Sequence, residues 1–230
     1  MASMGEMIGN IAHQWRQPLS VISVGATGMK MQKELNILTD KQFEETCDAI
    51  NKNAQYLSKT IDDFKNFIKN DRDKIKFNLK ENVESFLSLV NSSITHHQLK
   101  IVLDLDETII LNSYPNELTQ CFMNLFSNAK DALSNIQGEK YLFISTKING
   151  TEITISFKDN AGGIDSKVIE KIFEPYFTTK HKSQGTGLGL SMTYKIIVEG
   201  MDGVITVHNS EYEYNHQKLK GAEFLIKLHL

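Results

Sequence analysis

The sequence predicts an α+β protein: an N-terminal helical hairpin that pairs into a dimeric four-helix bundle, followed by an α/β sandwich. Three observations predict it. Two long N-terminal stretches carry apolar residues at alternating spacings of three and four, the mark of a helical stripe. Beyond about residue 72 that period gives way to short strands and separate helices. A glycine-rich stretch of about 20 residues then interrupts the second half, and a loop that long in a compact domain is usually functional. The change of pattern falls at Asp71-Arg72-Asp73-Lys74, a charged linker without an apolar residue. The expected domains are residues 1–72 and 73–230.

In the first helix, Met4, Ile8, Ile11, Trp15, Leu19, Ile22, Ala26 and Met29 keep to one stripe. The irregular step falls at Pro18, where a missing backbone donor and a steric clash predict a kink rather than a break. The second helix is cleaner, with Phe43, Cys47, Ile50, Ala54, Leu57, Ile61, Phe64 and Ile68 in an unbroken 4-3 heptad. So narrow a seam cannot stabilise one hairpin alone, so two hairpins are expected to pair as a symmetric homodimer. The second domain is read as a helix near Glu81–Val90, strands at Lys100–Leu105 and Ile109–Leu111, and a long helix from Pro115 to Ile136. Strands follow at Leu142–Ile148 and Glu152–Phe157, then a helix from Gly189 to Val198 and strands at Val204–His208 and Glu223–Leu228. Ile153, Ile155 and Phe157 alternate with Thr154, Ser156 and Lys158, which predicts a sheet with one buried face.

Composition narrows the function classes. Of 230 residues 40% are apolar, enough for folded cores, and 25 basic against 28 acidic residues leave a net charge of −3. That balance offers no basic surplus for a nucleic-acid partner. Cys47 and Cys121 sit inside helical apolar patterns and are expected as buried thiols. No apolar run reaches the roughly 18 residues of a membrane helix, and the first residues lack a secretory pattern, so a soluble, cytoplasmic piece is expected.

Several polar residues occupy places where structure alone does not ask for them. His13 lies ~180° from the bisector of Ile11 and Trp15 and so projects off the apolar stripe. Gln17 follows it by one turn on the same face. Asn124 and Asn128, at i and i+4, present two amides on one face of a helix that asparagine does not favour. Asp159 ends a strand and precedes Gly162-Gly163, where its acceptor-only carboxylate suits an exocyclic amino group. Gly185, Gly187 and Gly189 open a helix, leaving backbone N–H groups free to face phosphate.

These residues fall in ordered segments: Thr119-Gln120-Cys121-Phe122-Met123-Asn124-Leu125-Phe126-Ser127-Asn128-Ala129, then Asp159-Asn160-Ala161-Gly162-Gly163-Ile164, Phe173-Glu174-Pro175-Tyr176-Phe177, and Gly185-Thr186-Gly187-Leu188-Gly189-Leu190. Upstream stands Ile11-Ala12-His13-Gln14-Trp15-Arg16-Gln17-Pro18-Leu19. As an ordered set they resemble the catalytic core of a two-component sensor histidine kinase, and the resemblance covers nearly the whole chain. It implies an ATP-binding domain of the GHKL (Bergerat) type behind the helical hairpin.

The resemblance implies that His13 is the phospho-acceptor, its neutral imidazole attacking the γ-phosphorus of ATP. Arg16 is positioned to offset phosphate charge, and Gln17 to orient water when the partner is dephosphorylated. The family's usual acid after the histidine is replaced by Gln14, which cannot act as a base. Asn128 is implied as a Mg²⁺ ligand, Asn124 as a phosphate or metal-water contact and Asp159 as the adenine acceptor. Ala161 stands where the family carries glycine. Gly163 lies beside the base, and Gly185, Thr186, Gly187, Leu188 and Gly189 cradle phosphates. Phe173 and Phe177 are expected to anchor the lid, and Lys180, His181 and Lys182 to approach the γ-phosphate.

The implied activity is transfer of phosphate from ATP to His13 and then to an aspartate in a response regulator receiver domain. Two alternatives stand beside it: an ATP hydrolase of the same fold, or a degenerate ATP-binding dimeric scaffold. A hydrolase carries glutamate in the place of Asn124 to activate water, and asparagine lacks that base. The start so near the histidine segment suggests a fragment, with any inner-membrane anchor in N-terminal sensor segments that precede it.

Overall fold

A computed structural model of the chain describes residues 4–68, 74–179 and 187–230. They build two compact units, one on residues 4–68 and the other on residues 74–177 with 187–230. The linker residues 71–73 and the lid residues Lys180, His181 and Lys182 lie outside the described residues.

The first unit is a hairpin of α1 (Met4–Glu34) and α2 (Asp40–Ile68). Helix α1 runs unbroken through Pro18, which is buried. The turn between the helices is specified by its own residues. Asn36 takes the left-handed conformation (φ 56°) that closes a helix. Thr39 and Gln42 then cap α2 reciprocally, Thr39 N–H donating to Gln42 Oε1 (3.1 Å) and Gln42 N–H to Thr39 Oγ1 (3.3 Å). At Gly25 the helices approach so closely that an added Cβ would lie 3.1 Å from Thr46 Cγ2.

The heptad seam is only partly covered within one hairpin. Leu57 and Ile50 are half-buried, but Leu19 and Phe43 are exposed, and so are Ala26 and Ala54. Cys47, expected to be buried, is partly exposed here, whereas Cys121 of the second unit is fully buried. The side chains of Ile61, Phe64 and Ile68 lie outside the described residues.

The second unit is an α/β sandwich. Strands β1 (Ile75–Asn78) and β3 (Ile110–Ser113) form a small antiparallel pair. Strands β2 (Leu99–Asp104), β4 (Lys140–Asn149), β5 (Glu152–Asp159), β6 (Val204–Tyr214) and β7 (Gln217–His229) form a sheet in the order β2-β4-β5-β7-β6. Among the described residues β2 and β4 run parallel, and the other pairs are antiparallel. Helices α3 (Leu79–His96) and α4 (Pro115–Leu133) cover one face. Asn78 caps α3 by accepting from Glu81 N–H (3.2 Å), and Pro115 opens α4 where its missing donor costs nothing. A phenylalanine cluster joins the layers: Phe86 meets Phe122 at 5.7 Å between ring centroids, and Phe122 stacks on Phe157 at 5.3 Å.

Three sequence expectations are corrected. Strand β1 was not expected, because its four residues adjoin the charged linker. The last two strands are far longer than Val204–His208 and Glu223–Leu228 and form one hairpin closed by Asn215 and His216, both at positive φ. The outer sheet face is also less open than the alternation implies. Ser156 is buried there, donating to Glu223 Oε1 (2.7 Å), and Phe143 packs edge-on against Tyr212 and Tyr214 at 5.3 and 5.0 Å.

Candidate active site

The second unit gathers its chemistry-bearing residues between α4, the end of β5 and the start of α5 (Gly189–Tyr194). Asn124 and Asn128 are both half-buried on α4. The Asn124 amide donates to the Gly189 carbonyl (3.0 Å) and lies 3.2 Å from Thr193 Oγ1, so it ties α4 to the first turn of α5. Gly189 O also accepts from Thr193 Oγ1 (2.9 Å), which makes Thr193 a site residue the sequence did not mark.

Asp159 ends β5 and is only 5% exposed. Its Oδ1 accepts from Ala161 N–H (2.9 Å) and Ala222 N–H (3.2 Å). Burial raises the carboxyl pKa above the ordinary aspartate value, and the two backbone donors offset part of that rise. The following turn uses Gly162 and Gly163 at φ 90° and 91°. Ala161, where the family carries glycine, is not among the positive-φ residues, so its side chain imposes no backbone strain. Asn160 braces the turn from the far side, its Oδ1 accepting from Tyr141 N–H (2.8 Å) and its Nδ2 donating to Glu139 O (2.9 Å).

Strand β7 closes against this turn. Gly162 N–H donates to Lys220 O (2.9 Å), and at Gly221 any Cβ would overlap the Asp159 carbonyl. A glycine inside a strand is the sequence signal of such a close approach, but Gly221 falls outside the strand expected at Glu223–Leu228 and so was not marked.

The lid begins beyond Gly163. Between β5 and α5 the described residues hold one short 3-10 turn, Ile169–Lys171. Phe173 packs at 5.8 Å from Tyr194 and 6.4 Å from Phe224, so it anchors this side of the lid to α5 and the sheet. Phe177 is half-buried, its N–H donating to Glu174 O (3.2 Å). Gly187 (φ 68°) accepts from Tyr176 N–H (2.9 Å), and a Cβ there would strike the Tyr176 backbone. Leu188 is buried. Gly185 and Thr186 lie outside the described residues.

In the first unit His13, Gln14 and Gln17 belong to α1, but their side chains lie outside the described residues; Arg16 is exposed. Three turns beyond His13, Val24 is 72% exposed, the highest value among the large apolar residues described. It borders a shallow groove of about 460 Å³ whose lining includes Ser20, Val21, Glu45, Thr46 and Ala49.

The comparisons with known proteins bear on the chain at the level of its domains. Residues 113–230 match the family model of histidine kinase-, DNA gyrase B- and HSP90-like ATPases, and residues 3–73 match that of the His Kinase A (phospho-acceptor) domain. The chain belongs to the histidine kinase family. The two-component sensor PprA of Pseudomonas aeruginosa is 27% identical over 240 residues, spanning 100% of this chain and 25% of that protein. The sensor histidine kinase ZraS of Salmonella typhimurium is 29% identical over 231 residues, spanning 99% of this chain and 46% of the relative. The kinase core thus spans a quarter to about half the length of these relatives. Among solved structures, the catalytic domain of histidine kinase ThkA matches at TM-score 0.57 and 26% identity, covering 68% of this chain and 95% of that one. ThkA in complex with the response regulator protein TrrA matches in fold at TM-score 0.75 and 23% identity, covering 98% of this chain and 61% of that one. No helix among the described residues is long and apolar enough to cross a membrane.

Proposed function

We propose that this kinase core transfers the γ-phosphate of ATP to His13 and passes it on to an aspartate in a response regulator receiver domain. Residues 1–72 act as the dimerisation and phosphotransfer domain and residues 73–230 as the ATP-binding catalytic domain. The observation that carries the reading is the bonding of Asn124: its amide holds the first turn of α5, and an amide there cannot deprotonate water. That favours transfer over the ATP hydrolase alternative. Asp159, held by two backbone donors, presents its remaining acceptor capacity to the adenine amino group.

Mg²⁺ fits the donor set. The Asn128 carbonyl is a neutral oxygen ligand on a half-buried helix face, suited to a hard cation that takes its other ligands from phosphate and water. The bound ion supplies charge neutralisation for the transferring phosphoryl group. Gly187 and Gly189, with Gly185 and Thr186, leave backbone N–H groups for the phosphates.

At His13 a neutral imidazole nitrogen forms the new N–P bond as ADP leaves, and the second ring nitrogen then releases its proton to solvent, since Gln14 has no basic atom. Arg16 offsets the phosphate charge, and Gln17 orients water toward the receiver's aspartyl phosphate. The receiver must reach the phosphohistidine. On a helix residues 13, 17, 20 and 24 share one face, so the exposed Val24 and its groove form a docking surface for it. The uncovered seam residues Leu19 and Phe43 support a homodimer of two hairpins.

Incubation with γ-labelled ATP and Mg²⁺, followed by acid or base, tests the reading. Label should be lost in acid and kept in base, and His13→Gln should abolish it while leaving ATP affinity within about three-fold, because the histidine supplies chemistry rather than binding. Acid-labile label of wild-type intensity on His13→Gln would refute the acceptor.

A further inference from the structure

The loop that carries Asp159 is held from an unexpected side. Tyr212, on β6, donates its hydroxyl to the Asp159 backbone carbonyl (2.8 Å). Its ring is fixed by Phe143, edge-on at 5.3 Å, and by Lys158, whose Nζ stands 4.2 Å from the ring centroid. Three residues earlier on the same strand, Asn209 grips the far end of the loop. Its Oδ1 accepts from Ile164 N–H and its Nδ2 donates to Ile164 O, both at 2.7 Å, in place of a paired strand. Gly163 admits that amide, since an added Cβ would overlap it. The other ties from the hairpin, Ala222 N–H to Asp159 Oδ1 and Gly162 N–H to Lys220 O, are backbone groups.

We propose that Tyr212 and Asn209 are positioning residues for base recognition, fixing both ends of the 159–164 loop so that the Asp159 carboxylate meets the adenine amino group. The proposal rests on the reading of Asp159 as the adenine acceptor. The hydroxyl of Tyr212 holds the peptide carbonyl of Asp159, so releasing it lets the Cα and the carboxylate shift together. Hydrogen bonds weaken steeply with such misalignment, while contacts to the phosphates, made elsewhere in the site, do not depend on it. Burial and the nearby Asp159 and Glu223 carboxylates raise the phenol pKa, which keeps the hydroxyl protonated as a donor.

The distinguishing measurement is the ratio of affinities for ADP and inosine diphosphate, which replaces the amino group by a carbonyl. Calorimetry on the whole chain should show Tyr212→Phe, which keeps the ring and loses one oxygen, weakening ADP about three- to ten-fold with inosine diphosphate changed by less than about two-fold. Asn209→Ala should act in the same direction, and Asn209→Asp, which keeps the acceptor and loses the donor, should fall between. In parallel, Asp159→Asn should turn the ratio toward inosine diphosphate, because its new donor faces the carbonyl. Equal losses for the two nucleotides in Tyr212→Phe, or a wild-type ratio in it and in both Asn209 variants while Asp159→Asn shifts, would overturn the positioning role alone. An unshifted ratio in Asp159→Asn would overturn the adenine reading and the positioning role with it.

Discussion

At the scale of single residues, Asp159 sets function against stability. Its carboxyl pKa is raised by burial, so the folded state disfavours the ionised form that the proposed adenine contact uses. The ionisation therefore opposes folding: stability is greatest below the unfolded pKa near 4 and declines as pH rises through the higher folded value. Asp159→Asn keeps an oxygen for the Ala161 and Ala222 donors and carries no such ionisation. The variant should gain melting temperature relative to wild type as pH rises from about 4, reach a plateau above the folded pKa, and bind ATP more weakly. Thermal denaturation across pH, with calorimetry at neutral pH, checks both; a gap independent of pH would show that the carboxylate is not destabilised. This residue was legible in the sequence because an aspartate between a strand and two glycines is a local pattern. Its partners were not, since Ala222 and Tyr212 lie 63 and 53 residues away and nothing local marks them. Asn124 shows the same division, its spacing from Asn128 being readable and its bond to Gly189 being tertiary.

At the scale of elements, the hairpin of α1 and α2 and the ribbon of β6 and β7 differ in how plainly the sequence marks them. Heptads, a left-handed Asn36 and the Thr39–Gln42 box specify the first locally. The second lies beneath a polar run from His208 to Lys220, where Tyr212 and Tyr214 face Phe143 instead of the helix layer, so the usual alternation is hidden. Its turn uses Asn215-His216 where Asn-Gly is the recognisable signal. Predictions on the helical hairpin separate its two exposed surfaces. Phe43→Lys with Leu57→Lys puts charges into the seam and should yield monomer by light scattering, with several kcal/mol opposing association. Val24→Arg should leave autophosphorylation near wild type while slowing transfer to a receiver domain about ten-fold, the scale of one lost contact at an interface centre. Equal slowing of both steps would remove Val24 from receiver docking.

At the scale of the whole molecule, the buried apolar core residues among those described, from Leu79 to Leu228, all belong to the second unit, so residues 74–230 expressed alone should fold cooperatively, bind ATP as the full chain does and incorporate no label. Loss of ATP binding in that piece would mean that the helical hairpin completes the nucleotide site. Fold class and most of the element order were legible because periodicity is a local property; β1, the length of the last two strands and the strand order were not, because strand order depends on which edges meet. That order carries a consequence for biogenesis. Strand β7, made after every other strand of the sheet, lies between β5 and β6 and supplies Gly221 and Ala222 to the Asp159 turn. While the ribosome is still adding β7, β5 has an open edge and the Asp159 carboxylate lacks one of its two donors. Until translation has passed residue 222, the proposed adenine contact is held by one donor fewer, and the open edge of β5 is a template for wrong pairing.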